Sequence, residues 1–277
     1  MDDRMSTWPI LDIVSHSDTL KSFYFEASAD VRPGQFIMLW IPGLDEKPFS
    51  VSDLHDGRME VTVKAIGPFT RRLMTCQVGD RVGLRGPFGR PFVPTDHALI
   101  AGAGCGVAPV RFLHRTMQRA GRPCTFLVGT RHSDDLMFRD EYQSDGTVIV
   151  TDDGSLGERR LLPDKARELV ESRGLNPTTR KAGGPDPGFS TLCASGPEVV
   201  LLALRSLAKA HGLPVQLSFE RYMKCGIGLC GQCCLDGNGL RTCIEGPVLT
   251  HKELDSATDL GLPHRTATGC RAGAMGE

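Results

Sequence analysis

Five of the ten cysteines fall between Cys225 and Cys243, and four of them keep the spacing Cys225-x4-Cys230-x2-Cys233-x9-Cys243. Thiolates bind soft metals. C-x4-C-x2-C followed by a distant fourth cysteine is the plant-type arrangement that holds a [2Fe–2S] cluster, a one-electron carrier. A structural zinc site is the alternative, but it favours paired Cys-x2-Cys units over an x4 and then an x2 interval. Between the ligands of KCGIGLCGQC, Gly226, Gly228 and Gly231 can take positive φ and turn backbone N–H groups toward the sulfurs. Cys234 follows Cys233 directly. Neighbouring residues of an extended loop point in opposite directions, so Cys234 is expected to be a non-ligand. Cys243 is the one later cysteine close enough to close a compact loop. The expected ligands are therefore Cys225, Cys230, Cys233 and Cys243.

The remaining cysteines, Cys76, Cys105, Cys124, Cys193 and Cys270, are scattered and are expected to be small buried hydrophobes. The 277 residues carry a formal net charge of −1 and no basic block, which argues against nucleic acid as a partner. No apolar run is long enough to cross a bilayer. The N-terminus, MDDRMSTWPILDIV, lacks the regions of a signal peptide, so a cytoplasmic location is expected. In that reducing compartment ten cysteines do not imply disulfides.

The elements that must position this chemistry change character along the chain. Up to about residue 95, short runs such as FIMLWI and RVGLRG are bounded by Gly and Pro, and MEVTVKAI alternates as a half-buried strand should. These predict a sandwich or barrel. From Asp96 strands and helices alternate: HALIAG, VRFLHRTMQRAG, CTFLVGT, TVIVTDD, LPDKARELVESRG, STLCASG and PEVVLLALRSLAKAHG. Such alternation marks a parallel α/β sheet. Residues 176–190 read as a Gly/Pro-rich surface loop, and beyond about 218 Gly and Cys replace regular periodicity. The expected division is 1–95, 96–218 and 219–277.

Two strand–turn–helix junctions carry glycines. AGAGCGVAP places Gly102, Gly104 and Gly106 where backbone N–H groups could approach a pyrophosphate. CASGPEVV places Ser195, Gly196 and Pro197 at a second junction, with Pro197 suited to a first helical turn. Arg131, ending GTR, is either a phosphate or ribose contact or a solvated cation. In the N-terminal part, KPFSVS offers the charge of Lys47, the flat face of Phe49 and the hydroxyl of Ser50. VKAIGPFT ends a strand in a turn where Thr70 caps a helix or meets an anion. GPFG reads as a turn only. No acid, base or nucleophile constellation appears, so no catalytic residue is assigned; His114 and His132 read as surface or helix-face residues.

The ordered set KPFS, IGPFT, GPFG, AGAGCGVAP, SGPE and KCGIGLCGQC resembles the ferredoxin–NADP reductase-like flavoproteins. More narrowly, it resembles the electron-transfer subunits of B-type dihydroorotate dehydrogenases. The likeness covers nearly the whole chain and is most specific in ERYMKCGIGLCGQC and RTCIEGPV. It implies an antiparallel β-barrel FAD domain, an α/β parallel-sheet NAD-binding domain and a small Cys-rich [2Fe–2S] domain. FAD contacts are implied at Lys47, Pro48, Phe49, Ser50, Thr62, Val63, Lys64, Phe69 and Thr70, with NAD(H) as a diffusible co-substrate. It further implies a separate FMN-containing catalytic chain, in a two-plus-two heterotetramer, that oxidises dihydroorotate in de novo pyrimidine (UMP) biosynthesis. Electrons would pass from FMN through the cluster to FAD and NAD+, and this chain alone would not oxidise dihydroorotate. Three features depart from the family's pattern. Lys47 stands where Arg is usual, Ser195 stands where Cys is usual, and the first glycine turn begins Ala-Gly-Ala-Gly. Two other readings share part of this pattern: a flavin subunit serving a hydrogenase, sulfur reductase or ferredoxin–NAD(P) oxidoreductase, and a zinc-binding module that is not an enzyme.

Overall fold

Short β-branched and aromatic runs separated by Gly and Pro pair as antiparallel strands in the N-terminal part. The structure, a computed structural model, describes residues 2–27, 30–143, 146–173, 188–263, 265–266 and 268–270. The strands are β1 (Asp2–Pro9), β2 (Asp12–Ser17), β3 (Leu20–Glu26), β4 (Phe36–Ile41), β5 (Asp45–Ser50), β6 (Asp53–His55), β7 (Arg58–Lys64) and β8 (Arg81–Phe88). Helix α1 (Pro68–Leu73) lies between the last two. They form two four-stranded antiparallel sheets, β1-β8-β4-β5 and β2-β3-β7-β6.

The strand read as half-buried, β7, is covered on both faces. Met59, Val61 and Val63 are buried, and so are Glu60 and Thr62 between them. The polar pair is accommodated because it has partners. Ser22 Oγ donates to Glu60 Oε1 at 2.7 Å, and Thr62 Oγ1 lies 2.8 Å from Ser22 Oγ and 2.9 Å from Ser52 Oγ. Buried hydroxyls and carboxylates tolerate such a position only when hydrogen-bonded.

From residue 98 the strands are β9 (Ala98–Ala103), β10 (Cys124–Thr130), β11 (Val148–Thr151), β12 (Glu158–Arg159), β13 (Thr191–Ser195), β14 (Val215–Ser218) and β15 (Val248–Leu249). Helices α2 (Val107–Arg119), α3 (Leu162–Arg173), α4 (Glu198–Ala210) and α5 (His251–Leu254) accompany them. The sheet order is β12-β11-β10-β9-β13-β14-β15, and β12 through β14 pair in parallel. The chain builds outward from β9 on one side through β10 to β12. It then returns to the other side of β9 with β13. The carboxyl ends of β9 and β13 are thus the switch point at which open α/β sheets bind ligands.

Two compact units result: Met1–Pro91 with Glu220–Val248 and Ala257–Glu277, and Phe92–Phe219 with Leu249–Ser256. The cysteine-rich stretch, expected as a domain of its own, groups with the N-terminal strands. The reason is apolar burial: Met223, Cys233 and Cys243 pack in one core with Phe36, Met38 and Phe88. No helix among the described residues is long and apolar enough to cross a membrane. The 176–190 loop lies outside the described residues up to position 187.

Candidate electron-transfer site

The loop from Cys225 to Cys230 is shaped by glycine. Gly226 and Gly228 have φ of +72° and +78°, and Gly231 has +70°. A Cβ on Gly226 would lie 3.0 Å from Met38 Cγ, and one on Gly228 would lie 2.8 Å from Ile244 Cγ1. The left-handed backbone calls for glycine at all three positions, and at Gly228 the close approach of Ile244 adds to it. The turns aim N–H groups at the first sulfur: Cys230 N donates to Cys225 Sγ at 3.4 Å, and the amides of Ile227 and Leu229 also face it. Burial raises the Cys225 pKa, but these donors outweigh it and bring the thiol down to about 7.

A short return brings the fourth cysteine back. Leu235 N donates to Leu240 O at 2.8 Å, Cys234 bridges Arg241, and Thr242 holds Cys233 O through its N–H at 3.1 Å and its hydroxyl at 2.7 Å. Cys243 then meets Cys233, both buried. The Cys243 thiol donates to Cys233, holding Cys233 at about 6 and Cys243 far above the ordinary thiol range. Cys234 is outside that apolar core, and partial burial raises its pKa.

The four sulfurs thus come as two pairs, Cys225 with Cys230 and Cys233 with Cys243. A [2Fe–2S] cluster takes two protein ligands on each iron, which is what two pairs provide.

The cysteine loop is seated on β4, β5 and β8 of its own unit. Arg85 of β8 grips Glu46 of β5 with two hydrogen bonds, of 2.6 and 2.8 Å, and donates to the Cys225 carbonyl at 2.7 Å. Arg241 ion-pairs with Glu245 and donates to Gly228 O at 3.3 Å. At the far end of the segment Arg90 donates to Val248 O at 2.8 Å, and Gly89 leaves room for Pro247, whose Cδ would be 2.6 Å from a Cβ there. Residue spacing gave no sign of these anchors; Arg85 and Cys225 are 140 positions apart.

The KPFS motif occupies β5. Lys47 pairs with Asp45 at 2.5 Å, and its Nζ lies 5.4 Å from the centre of the Tyr222 ring. Burial disfavours its charge, but the Asp45 hydrogen bond prevails and raises its pKa. Phe49 stacks on Phe69 of α1, ring centres 5.9 Å apart, which brings two of the implied FAD positions together. Pro48 faces Met38 across the strand pair, and Ser50 is half-buried. Thr62 instead turns its hydroxyl into the buried network with Ser22, and Val63 is buried while Lys64 is half-exposed. Thr70 Oγ1 accepts from Ile66 N at 2.9 Å and Gly67 N at 3.0 Å, so of its two expected roles it fills the helix cap.

In the second unit the two glycine turns touch. Gly102 pairs with Ser195 in register, and a Cβ on Gly106 would lie 2.3 Å from Gly196 N. Gly104, with φ +54°, has open space around its α-carbon. Pro197 sits one residue before α4, as its cap rather than inside its first turn. Ser195 is buried.

Among the background residues, Cys105 and Cys270 depart from expectation. Cys193 is buried, and burial pushes its thiol up to about 12; Cys76 is also buried, and Cys124 is half-buried. Cys105 and Cys270 are exposed, the first in a short 3-10 turn after β9 and the second outside any strand or helix. His114 is buried on the inner face of α2, stacked on Phe126 at 4.4 Å, while His132 is exposed and pairs with Asp153 at 2.9 Å. Arg131 is exposed.

Residues 220–255 match the iron–sulfur cluster binding domain of dihydroorotate dehydrogenase B. The probable dihydroorotate dehydrogenase B (NAD(+)), electron transfer subunit, of Methanocaldococcus jannaschii is 35% identical over 94% of this chain and 95% of its own. Its counterpart from Methanopyrus kandleri is 39% identical over 86% of each chain. Among solved structures, an NADH-dependent reduced ferredoxin–NADP oxidoreductase superposes with a TM-score of 0.74 at 26% identity, covering 90% of this chain and 89% of that one. A ferredoxin–NADP+ reductase from Neisseria gonorrhoeae shares the fold, with a TM-score of 0.60 at 18% identity over 75% of this chain and 92% of that one. The chain belongs to the family of dihydroorotate dehydrogenase B electron transfer subunits.

Proposed function

We propose that this protein is the electron-transfer subunit of a cytoplasmic dihydroorotate dehydrogenase complex, carrying electrons to NAD+ in pyrimidine biosynthesis. The observation that carries the reading is the paired set of thiols at Cys225/Cys230 and Cys233/Cys243, seated on the sheet that bears KPFS. A [2Fe–2S] cluster carries one electron and a nicotinamide carries hydride, so a flavin between them supplies the exchange. In this reading Cys225, Cys230, Cys233 and Cys243 hold the cluster. The backbone donors of the 225–230 loop stabilise the thiolates it requires. Lys47, Pro48, Phe49 and Ser50, with Thr62, Val63, Lys64, Phe69 and Thr70, surround FAD within an antiparallel barrel. The touching turns at Gly102, Gly104, Gly106 and Ser195, Gly196, Pro197 receive NAD(H). Lys47 offers a point charge where a guanidinium would give a fork.

In this reading the substrate chemistry belongs to an FMN-containing partner, two copies of each chain forming the complex. Co-expression with that partner is expected to give dihydroorotate-dependent NAD+ reduction, and the isolated chain none. Absence of activity with that partner, together with activity beside a hydrogenase or ferredoxin partner, would reject the reading. A colourless, zinc-containing protein would reject both redox assignments.

A further inference from the structure

The Cys225–Cys230 loop has two of its carbonyls gripped from outside by guanidinium groups, and each guanidinium is balanced by a carboxylate. Arg85 holds Cys225 O at 2.7 Å with Glu46 behind it, and Arg241 holds Gly228 O at 3.3 Å with Glu245 behind it. A trans peptide sends its N–H away from its C=O. A carbonyl held outward therefore turns the following amide inward. The second grip shows this, since the Leu229 amide faces the Cys225 sulfur.

The two pairs differ in setting. Arg241 and Glu245 are 41% and 30% exposed, and solvent screens them. Arg85 and Glu46 are only 11% and 20% exposed, so solvent screens them less. Arg85 comes from β8 and Glu46 from β5, next to Lys47, so the pair joins the first cysteine ligand to the KPFS strand. The Arg85 guanidinium also lies over Phe88, 5.6 Å from its centre, and Phe88 belongs to the core that buries Cys233 and Cys243.

We propose that the Arg85–Glu46 pair is a positioning and charge-balancing bridge between Cys225 and strand β5, and that it tunes the reduction potential of the cluster held there. This rests on the cluster reading given above. Reducing a cluster adds negative charge, so a nearby cation raises its potential and a nearby anion lowers it. Intact, the pair is neutral. Removing one member exposes the other, and the two removals must act in opposite directions. A bridge that mattered only for packing would give the same direction for both.

The test uses the full-length protein carrying its cluster and FAD, with iron content, the EPR spectrum and an EPR-monitored redox titration as readouts. Glu46→Gln is expected to shift the cluster midpoint upward and Arg85→Gln to shift it downward. The double variant is expected to lie nearer wild type than either single variant. Arg85→Lys, which keeps the charge, is expected to stay near the wild-type midpoint. If Arg85→Gln does not retain its cluster, Glu46→Gln and Arg85→Lys decide the matter. Shifts of the same sign in the two single variants, or unmoved midpoints with the cluster retained, overturn the proposal alone. A wild-type protein without iron or a [2Fe–2S] signal overturns the cluster reading and the proposal together.

Discussion

Gly106→Ala tests whether the touching glycine turns form the nucleotide site. Gly106 has ordinary helical dihedrals, so alanine brings no backbone strain, and the effect is steric alone. The new Cβ would lie 2.3 Å from Gly196 N, 2.4 Å from Ser195 C and 2.5 Å from Gly196 Cα. All three obstacles are backbone, which cannot rotate aside as a side chain would. To reach ordinary contact, the turns after β9 and β13 must separate by about 1 Å, an overpacking that costs about 1–3 kcal/mol of stability. A displacement of that size at a binding site lowers turnover about 100-fold, equivalent to about 2.7 kcal/mol. The assay is NADH oxidation by the FAD-loaded protein with ferricyanide as acceptor, read as kcat/KM for NADH. Cluster absorbance is expected to stay at the wild-type level, since the cysteines belong to the other compact unit. Gly121→Ala is the control for stability: its φ is +64° with open space around it, so it costs about 1 kcal/mol without touching the turns. A Gly106→Ala protein with wild-type kcat/KM and unchanged thermal stability would refute the argument.

Three further outcomes are expected. Cys243→Ser loses the visible absorption of the cluster and Cys234→Ser keeps it; the opposite result would reassign the fourth ligand. Glu141→Gln removes the carboxylate that grips the buried guanidinium of Arg111 at 2.6 and 2.7 Å, and should cost about 3 kcal/mol in chemical denaturation. Burial raises the Glu141 pKa, but the Arg111 hydrogen bond prevails and lowers it below 4.5, so its contribution is full above 4.5 and fades as pH falls through the folded value. The hydrogen bond to Asp153 raises His132 above 6.5, so the stability it contributes is complete below pH 6.5 and is lost as pH rises through the folded value. Histidine NMR should show that raised midpoint, and Asp153→Asn should return it toward 6.5; a midpoint that ignores the substitution would discount the pair.

What could be read from the sequence was local. The β9–turn–α2 and β13–turn–α4 junctions were legible because periodicity switches from strand to helix within a few residues of each glycine turn. The cysteine spacing was legible because the four expected ligands fall within 19 residues. That the turns touch was not legible, because it depends on β13 returning beside β9, and only the sheet order shows that. Burial of Glu60 and Thr62 was hidden for a related reason. Alternation in β7 reports one apolar face, and it cannot report that Ser22 and Ser52 wait on the other.

The grouping of the cysteine segment with the N-terminal strands shows where such reading stops. Its composition, rich in Gly and Cys and poor in periodicity, suggests a small independent domain stabilised by its metal. The structure supplies a second source of stability: Met223, Cys233 and Cys243 complete a core begun by Phe36, Met38 and Phe88, and Arg85 and Arg90 bind loop carbonyls at its two ends. A segment that only wrapped a cluster would have little need for either anchor. A segment that must hold a one-electron centre at a fixed place beside the KPFS strand needs both, because electron transfer depends on where the centre sits as much as on its being bound. The anchors therefore fix where the segment sits, and they lie on residues that spacing alone would pass over.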